Sequence, residues 1–127
     1  MDALVFNVIR HTQNFATMRR FYEQDLEMPA IEEWEEPQNR GVVFSAGGIA
    51  TLEILDLANL AEPDGRPVNL ELSLQVESAD WWHDHLQAKG VTIARGLEDA
   101  PWGHRSFGID DPDGLRIWFY HKIPQLS

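Results

Sequence analysis

Along Leu70-Glu71-Leu72-Ser73-Leu74-Gln75-Val76 apolar and polar side chains alternate, the period of a strand buried on one face. Ser78 follows as a helix N-cap, Trp82 and Leu86 recur at helical spacing, and Lys89-Gly90 closes the helix with a cation in its last turn and a glycine at C′. The same order stands 64 residues earlier. Leu4-Val5-Phe6-Asn7-Val8-Ile9 reads as a strand and Asn14 as an N-cap. Phe15, Met18, Tyr22 and Leu26 form the buried stripe of a helix over Phe15 to Leu26. Three further strands are predicted after each helix: Ala30 to Trp34, Gly41 to Ala46 and Ala50 to Asp56, then Val91 to Arg95, Arg105 to Asp110 and Leu115 to His121. Gly47-Gly48 and Asp111-Pro112-Asp113-Gly114 supply hairpin turns, the second a strong signal because proline fixes φ and glycine accepts positive φ.

This pattern predicts an α+β fold of two tandem βαβββ units, 1–57 and 68–127, joined by a linker over 58–67 and together making one domain. Alternation sorts the side chains of each strand. Leu70, Leu72, Leu74 and Val76, with Leu115, Ile117 and Phe119, face the helices, as do Leu52 and Ile54, and Leu4, Phe6 and Val8. One sheet face is therefore expected to be apolar and covered by helices. The opposite face carries Asn7, Glu53, Glu71, Arg116, Trp118 and Tyr120, a mixed set suited to solvent or to a cavity.

At 127 residues, 43% hydrophobic and 24% charged, the chain has the balance of an ordinary globular domain. It contains no cysteine, which excludes disulfides, thiolate metal sites and cysteine nucleophiles and fits a cytoplasmic location. No apolar run approaches the roughly 18 residues of a membrane span, and the start lacks the basic residues of a signal peptide. The 21 acidic residues outnumber the 10 basic ones, for a net charge of −11. That sign repels nucleic acid and anionic membranes and favours cationic ligands. Five tryptophans beside this charge suit a pocket for flat, cationic molecules.

Pro101-Trp102-Gly103-His104-Arg105-Ser106-Phe107 running into Asp111-Pro112-Asp113-Gly114, with Phe21-Tyr22 late in the first helix and the βαβββ duplication, resembles the vicinal oxygen chelate superfamily. That group comprises the glyoxalases, extradiol dioxygenases and bleomycin (antibiotic) resistance proteins. The resemblance implies that each unit is a curled half-barrel with its helix outside, and that a cavity lies on the mixed face. It also implies four metal-ligand positions, which fall here on Asn7, Glu53, Glu71 and Trp118. Histidine is usual at the first and third positions and glutamate at the fourth. Trp118 has no available lone pair, so only Glu53 and Glu71 remain as weak metal candidates, and no metal cofactor is expected.

The resemblance is greatest to the bleomycin-resistance-like, non-metal branch. It implies a homodimer that binds a small planar, cationic or amphipathic compound in an acidic, tryptophan-lined cavity. The candidate ligand residues are Asn7, Glu53, Glu71, Trp102, Arg105, Trp118 and Tyr120, with no catalytic residue assigned. Arg105 or Arg116 neutralising the two glutamates is the alternative role for those side chains. The rival reading is a lyase, isomerase or dioxygenase using a divalent metal or a carboxylate base, and an interaction domain without a small ligand is a third. His83-Asp84-His85 lies within a helix, where residues two apart point to different faces and cannot chelate one ion. Glu32-Glu33-Trp34-Glu35-Glu36 reads either as a solvated strand end or as an acidic lip.

Overall fold

The computed structural model describes residues 1–37, 39–56 and 69–124. The chain divides into two units, Met1–Arg66 and Pro67–Ser127. The linker expected over 58–67 lies outside the described residues.

In the first unit the order is β1 (Phe6–Thr12), α1 (Phe15–Arg20), β2 (Ala30–Glu36), β3 (Asn39–Gly47) and β4 (Ala50–Asp56). The sheet order is β1-β4-β3-β2, with β1 parallel to β4 and the other pairs antiparallel. The second unit repeats this plan with β5 (Leu72–Gln75), α2 (Ala79–Ala88), β6 (Arg95–Ala100), β7 (His104–Asp110) and β8 (Arg116–Lys122), in sheet order β5-β8-β7-β6. The predicted α+β class and the βαβββ duplication are therefore present as two open, four-stranded mixed sheets, each carrying its own helix.

Helix α1 packs against β4, burying Phe15, Met18, Phe21, Tyr22 and Leu26 against Val42, Phe44, Leu52 and Ile54. Past Arg20 it widens into a π-helical turn, Phe21–Asp25, in which the Leu26 N–H donates to the Phe21 carbonyl at 3.0 Å. The wider turn brings both adjacent rings, Phe21 and Tyr22, into the core, edge to face at 5.0 Å. In the second unit α2 packs on β6, β7 and β8, and Leu86, Phe107, Ile109, Ile117 and Phe119 form the core. Ser78 caps α2 as its residue type predicts, accepting the Trp81 N–H at 3.0 Å. His121 Nδ1 accepts the Ala79 N–H at 2.8 Å, so a histidine with no partner evident in the sequence helps to hold the helix start. The buried Asp111 accepts the N–H groups of Asp113 and Leu115, while Gly114 takes φ +89° and completes the Asp-Pro-Asp-Gly turn.

Four expectations are corrected. Strand β1 starts at Phe6 rather than Leu4, because its partner β4 begins opposite Phe6, at Ala50. Asn14 occupies the N-cap of α1, but its side chain makes no capping bond. Instead its own N–H donates to Thr12 Oγ1. The helix-covered face is not wholly apolar, since the parallel register sets Arg10 beside Ile54 and the buried Thr12 beside Asp56. Finally, β6 runs Arg95–Ala100 rather than Val91 to Arg95. The Val91 N–H still closes α2 by bonding to Leu86 O, so pairing with β7 starts later.

Candidate functional site

The uncovered face of the second sheet follows from its register. Residues directly opposite one another on paired strands share a face. Glu98 pairs with Ser106, Ser106 with Tyr120, and Tyr120 with Gln75, so these four side chains cross one face as a row. The neighbouring row holds Gly108, Trp118 and Ser73. Trp118 leans over Gly108: a Cβ there would stand 3.0 Å from the indole, tighter than ordinary contacts allow. Tyr120 stacks on His104 with ring centroids 4.2 Å apart and donates its hydroxyl to Gln75 at 3.2 Å. Trp102 lies in the turn between β6 and β7, 66% exposed. A cavity of about 420 Å³ is lined by Trp102, Trp118, Tyr120, His104, Ser73, Ser106, Glu98, Asp99, Ala100 and Pro101.

Three of the residues singled out from the sequence, Trp102, Trp118 and Tyr120, therefore meet at one cavity. Arg105 does not join them. It shares the helix-covered face with Phe107 and Ile109, where its Nε and Nη2 donate to both oxygens of Asp80 and its Nη1 donates to Asp99. These two carboxylates hold the Arg105 guanidinium above its ordinary range, and the Arg105 hydrogen bonds in turn lower Asp80. Arg116 donates to Asp110 at 2.6 Å, and its guanidinium carbon lies 5.3 Å from the Trp118 ring centroid. Asp110 is the main cause that raises Arg116, and Glu71 adds a smaller coulombic effect. Glu71 itself is exposed and precedes β5.

In the first unit, Asn7 donates its amide to Glu53 at 2.8 Å and accepts the Thr51 hydroxyl at 2.7 Å. Trp34 lies over Gly41 and donates its indole N–H to Asn39. Glu33 pairs with Arg19, so the acidic run around Trp34 is partly neutralised.

Sequence reasoning missed Glu98, Asp99, Ser73 and Ser106 as cavity residues. Ser73 is readable, because it alternates with Leu72 and Leu74. Glu98 is not, because the segment Gly96-Leu97-Glu98-Asp99 carries weak strand signals and falls in the strand whose position the structure corrects.

The donor set at the four family-type metal positions does not fit an imidazole-based transition-metal centre. Trp118 offers no lone pair, the Asn7 amide is engaged with Glu53 and Thr51, and only two carboxylates remain. His83 and His85 are separately engaged, His83 with Asp84 at 2.9 Å and His85 stacked on Trp81 at 4.3 Å. Among the described residues no group of three His, Asp or Glu side chains is placed to hold a metal ion. Nor is any helix among them long and apolar enough to cross a membrane.

No curated protein sequence matches the chain. Among solved structures, it is similar to a member of the Glyoxalase/bleomycin resistance protein/dioxygenase superfamily from Sphaerobacter thermophilus, with TM-score 0.77, 22% identity, and 95% of this chain and 98% of the other covered. It is equally similar to TnmS3, an antibiotic binding protein from a Streptomyces species, at TM-score 0.77 and 22% identity over 95% and 97% of the two chains. A lactoylglutathione lyase from Agrobacterium tumefaciens follows at TM-score 0.71 and 16% identity over 95% of each chain. At these identities the likeness is one of fold. The family model for the Glyoxalase/Bleomycin resistance protein/Dioxygenase superfamily matches residues 7–119, nearly the whole length, and the chain belongs to that superfamily.

Proposed function

We propose that this protein binds a small planar compound, without a catalytic metal, against the aromatic surface of its second unit. The observation that carries the reading is the cavity of about 420 Å³ walled by Trp102, Trp118 and Tyr120. Aromatic faces of this kind stack on flat ligands, each contact adding on the order of 1 kcal/mol beyond simple burial. The similarity to an antibiotic binding protein supports binding. The net charge of −11 favours a cationic compound over an anionic one. The displaced metal donors, above all Trp118, favour binding over metal-assisted catalysis.

Titrating planar compounds of differing charge into the protein while following tryptophan fluorescence tests this reading. Saturable quenching by at least one of them is expected. Near-stoichiometric Ni, Zn, Fe or Mn in protein purified without a His-tag would overturn the metal-free part and favour the enzymatic alternative.

The proposed working form is a cytoplasmic homodimer. Strand β1 is an edge of its sheet, and Leu4, Val5, Phe6, Ile9 and Ile49 around it are 49–90% exposed. Apolar side chains along an unpaired edge invite association. Sedimentation at micromolar concentration should return twice the chain mass, and a mass of 14.5 kDa would refute the dimer.

A further inference from the structure

We propose that Glu98 is the specificity-determining residue of the second-unit cavity, selecting ligands that carry positive charge on or beside a flat ring. The inference rests on the binding reading above and deepens it by naming the side chain that reads the charge.

The carboxylates of the second unit, of which Glu98 and Asp99 line the cavity, differ in what they already hold. Asp99 accepts a hydrogen bond from Arg105 at 2.9 Å, and Asp80 holds the same arginine through both oxygens. Asp110 is taken by Arg116 at 2.6 Å. Glu71 acts on the same Arg116 through its charge. Among the described residues Glu98 alone of the cavity's carboxylates has no cation and no hydrogen-bond donor bound to it. Its register opposite Ser106 directs it to the uncovered face, in the row that continues through Tyr120.

The other walls of the cavity act in the same sense. Trp118 and Tyr120 present π-systems, whose negative faces attract a cation held over them. Ser73 and Ser106 line the same cavity and offer hydroxyls that accept from an N–H donor. A delocalised ring cation can stack on the indole while an amino group at its edge meets Glu98. An uncharged ring of the same shape gains the stacking alone. An anion gains neither, and opposes Glu98.

The test compares proflavine, a planar cation, with acridine, its parent ring, near pH 8, where acridine is uncharged. Quenching titrations are run on the wild type, on Glu98→Gln and on Trp118→Ala. The wild type should bind proflavine roughly three- to tenfold more tightly than acridine, the scale of a solvent-accessible charge pair. This preference should shrink as salt is added. Glu98→Gln should remove most of the preference for proflavine and leave acridine affinity unchanged, whereas Trp118→Ala should weaken both. A preference for proflavine that is undiminished in Glu98→Gln would overturn the assignment to Glu98 while leaving the binding reading intact. Absence of quenching by either probe in the wild type would overturn the binding reading, and the role of Glu98 with it.

Discussion

Phe119→Ala should lower the stability of the protein by about 3–5 kcal/mol, the range for deleting a fully buried aromatic side chain. Phe119 is 2% exposed, on the covered face of β8. Its ring stacks on Phe107 at 5.1 Å with only 10° between the planes and meets Trp82 at 5.6 Å. Removing it separates β7 from α2 at the centre of the second core, where main-chain hydrogen bonds keep the strands from closing the gap. The loss is large because a domain's whole stability is about 5–15 kcal/mol. Urea unfolding followed by circular dichroism measures it as a lower midpoint at unchanged slope. A change below about 1 kcal/mol would mean that Phe119 does not anchor this core.

Trp118→Ala, one residue away, should act differently because alternation turns Trp118 to the other face. Its indole is half-buried, rests over Gly108 and borders the cavity. Loss of this surface should weaken binding of a planar compound by about 1–3 kcal/mol, a factor of roughly five to 150. The same change should lower stability by less than Phe119→Ala does, since part of the ring is already in contact with water. Calorimetric titration and urea unfolding of one mutant sample separate the two effects. If Trp118 only fills the space of a lost metal ligand, the result reverses: stability falls by about 3–5 kcal/mol and binding is unchanged.

The contrast between these adjacent residues is legible in the sequence, because the period of two places Phe119 with Ile117 and Trp118 with Tyr120. Arg105 is legible by the same rule, since it stands two residues from Phe107 and four from Ile109, on the covered face. The family-like segment around it draws it among the ligand candidates, and the alternation is what the fold follows. Glu98 is not legible. The chain between Gly90 and Ala100 first satisfies the end of α2, and the pairing with β7 shifts between Arg95 and Glu98, so the face of each side chain there depends on where the ladder restarts.

By itself the sequence determined the duplication, the helix stripe of Phe15, Met18, Tyr22 and Leu26, the Ser78 cap, the Asp111 turn and the acidic surplus. The duplication is a recurrence of local patterns, the acidic surplus a matter of composition, and the rest depend on spacing within a few turns of chain. Only the tertiary structure decided which acids are already neutralised and which face the cavity. Arg105 reaches Asp80 across 25 residues of chain, and Asn7 reaches Glu53 across 46. Such pairs are set by strand register and helix placement, which local periodicity does not encode. Glu98 shares a face with the aromatic wall because its ladder partner is Ser106, in the row that continues through Tyr120.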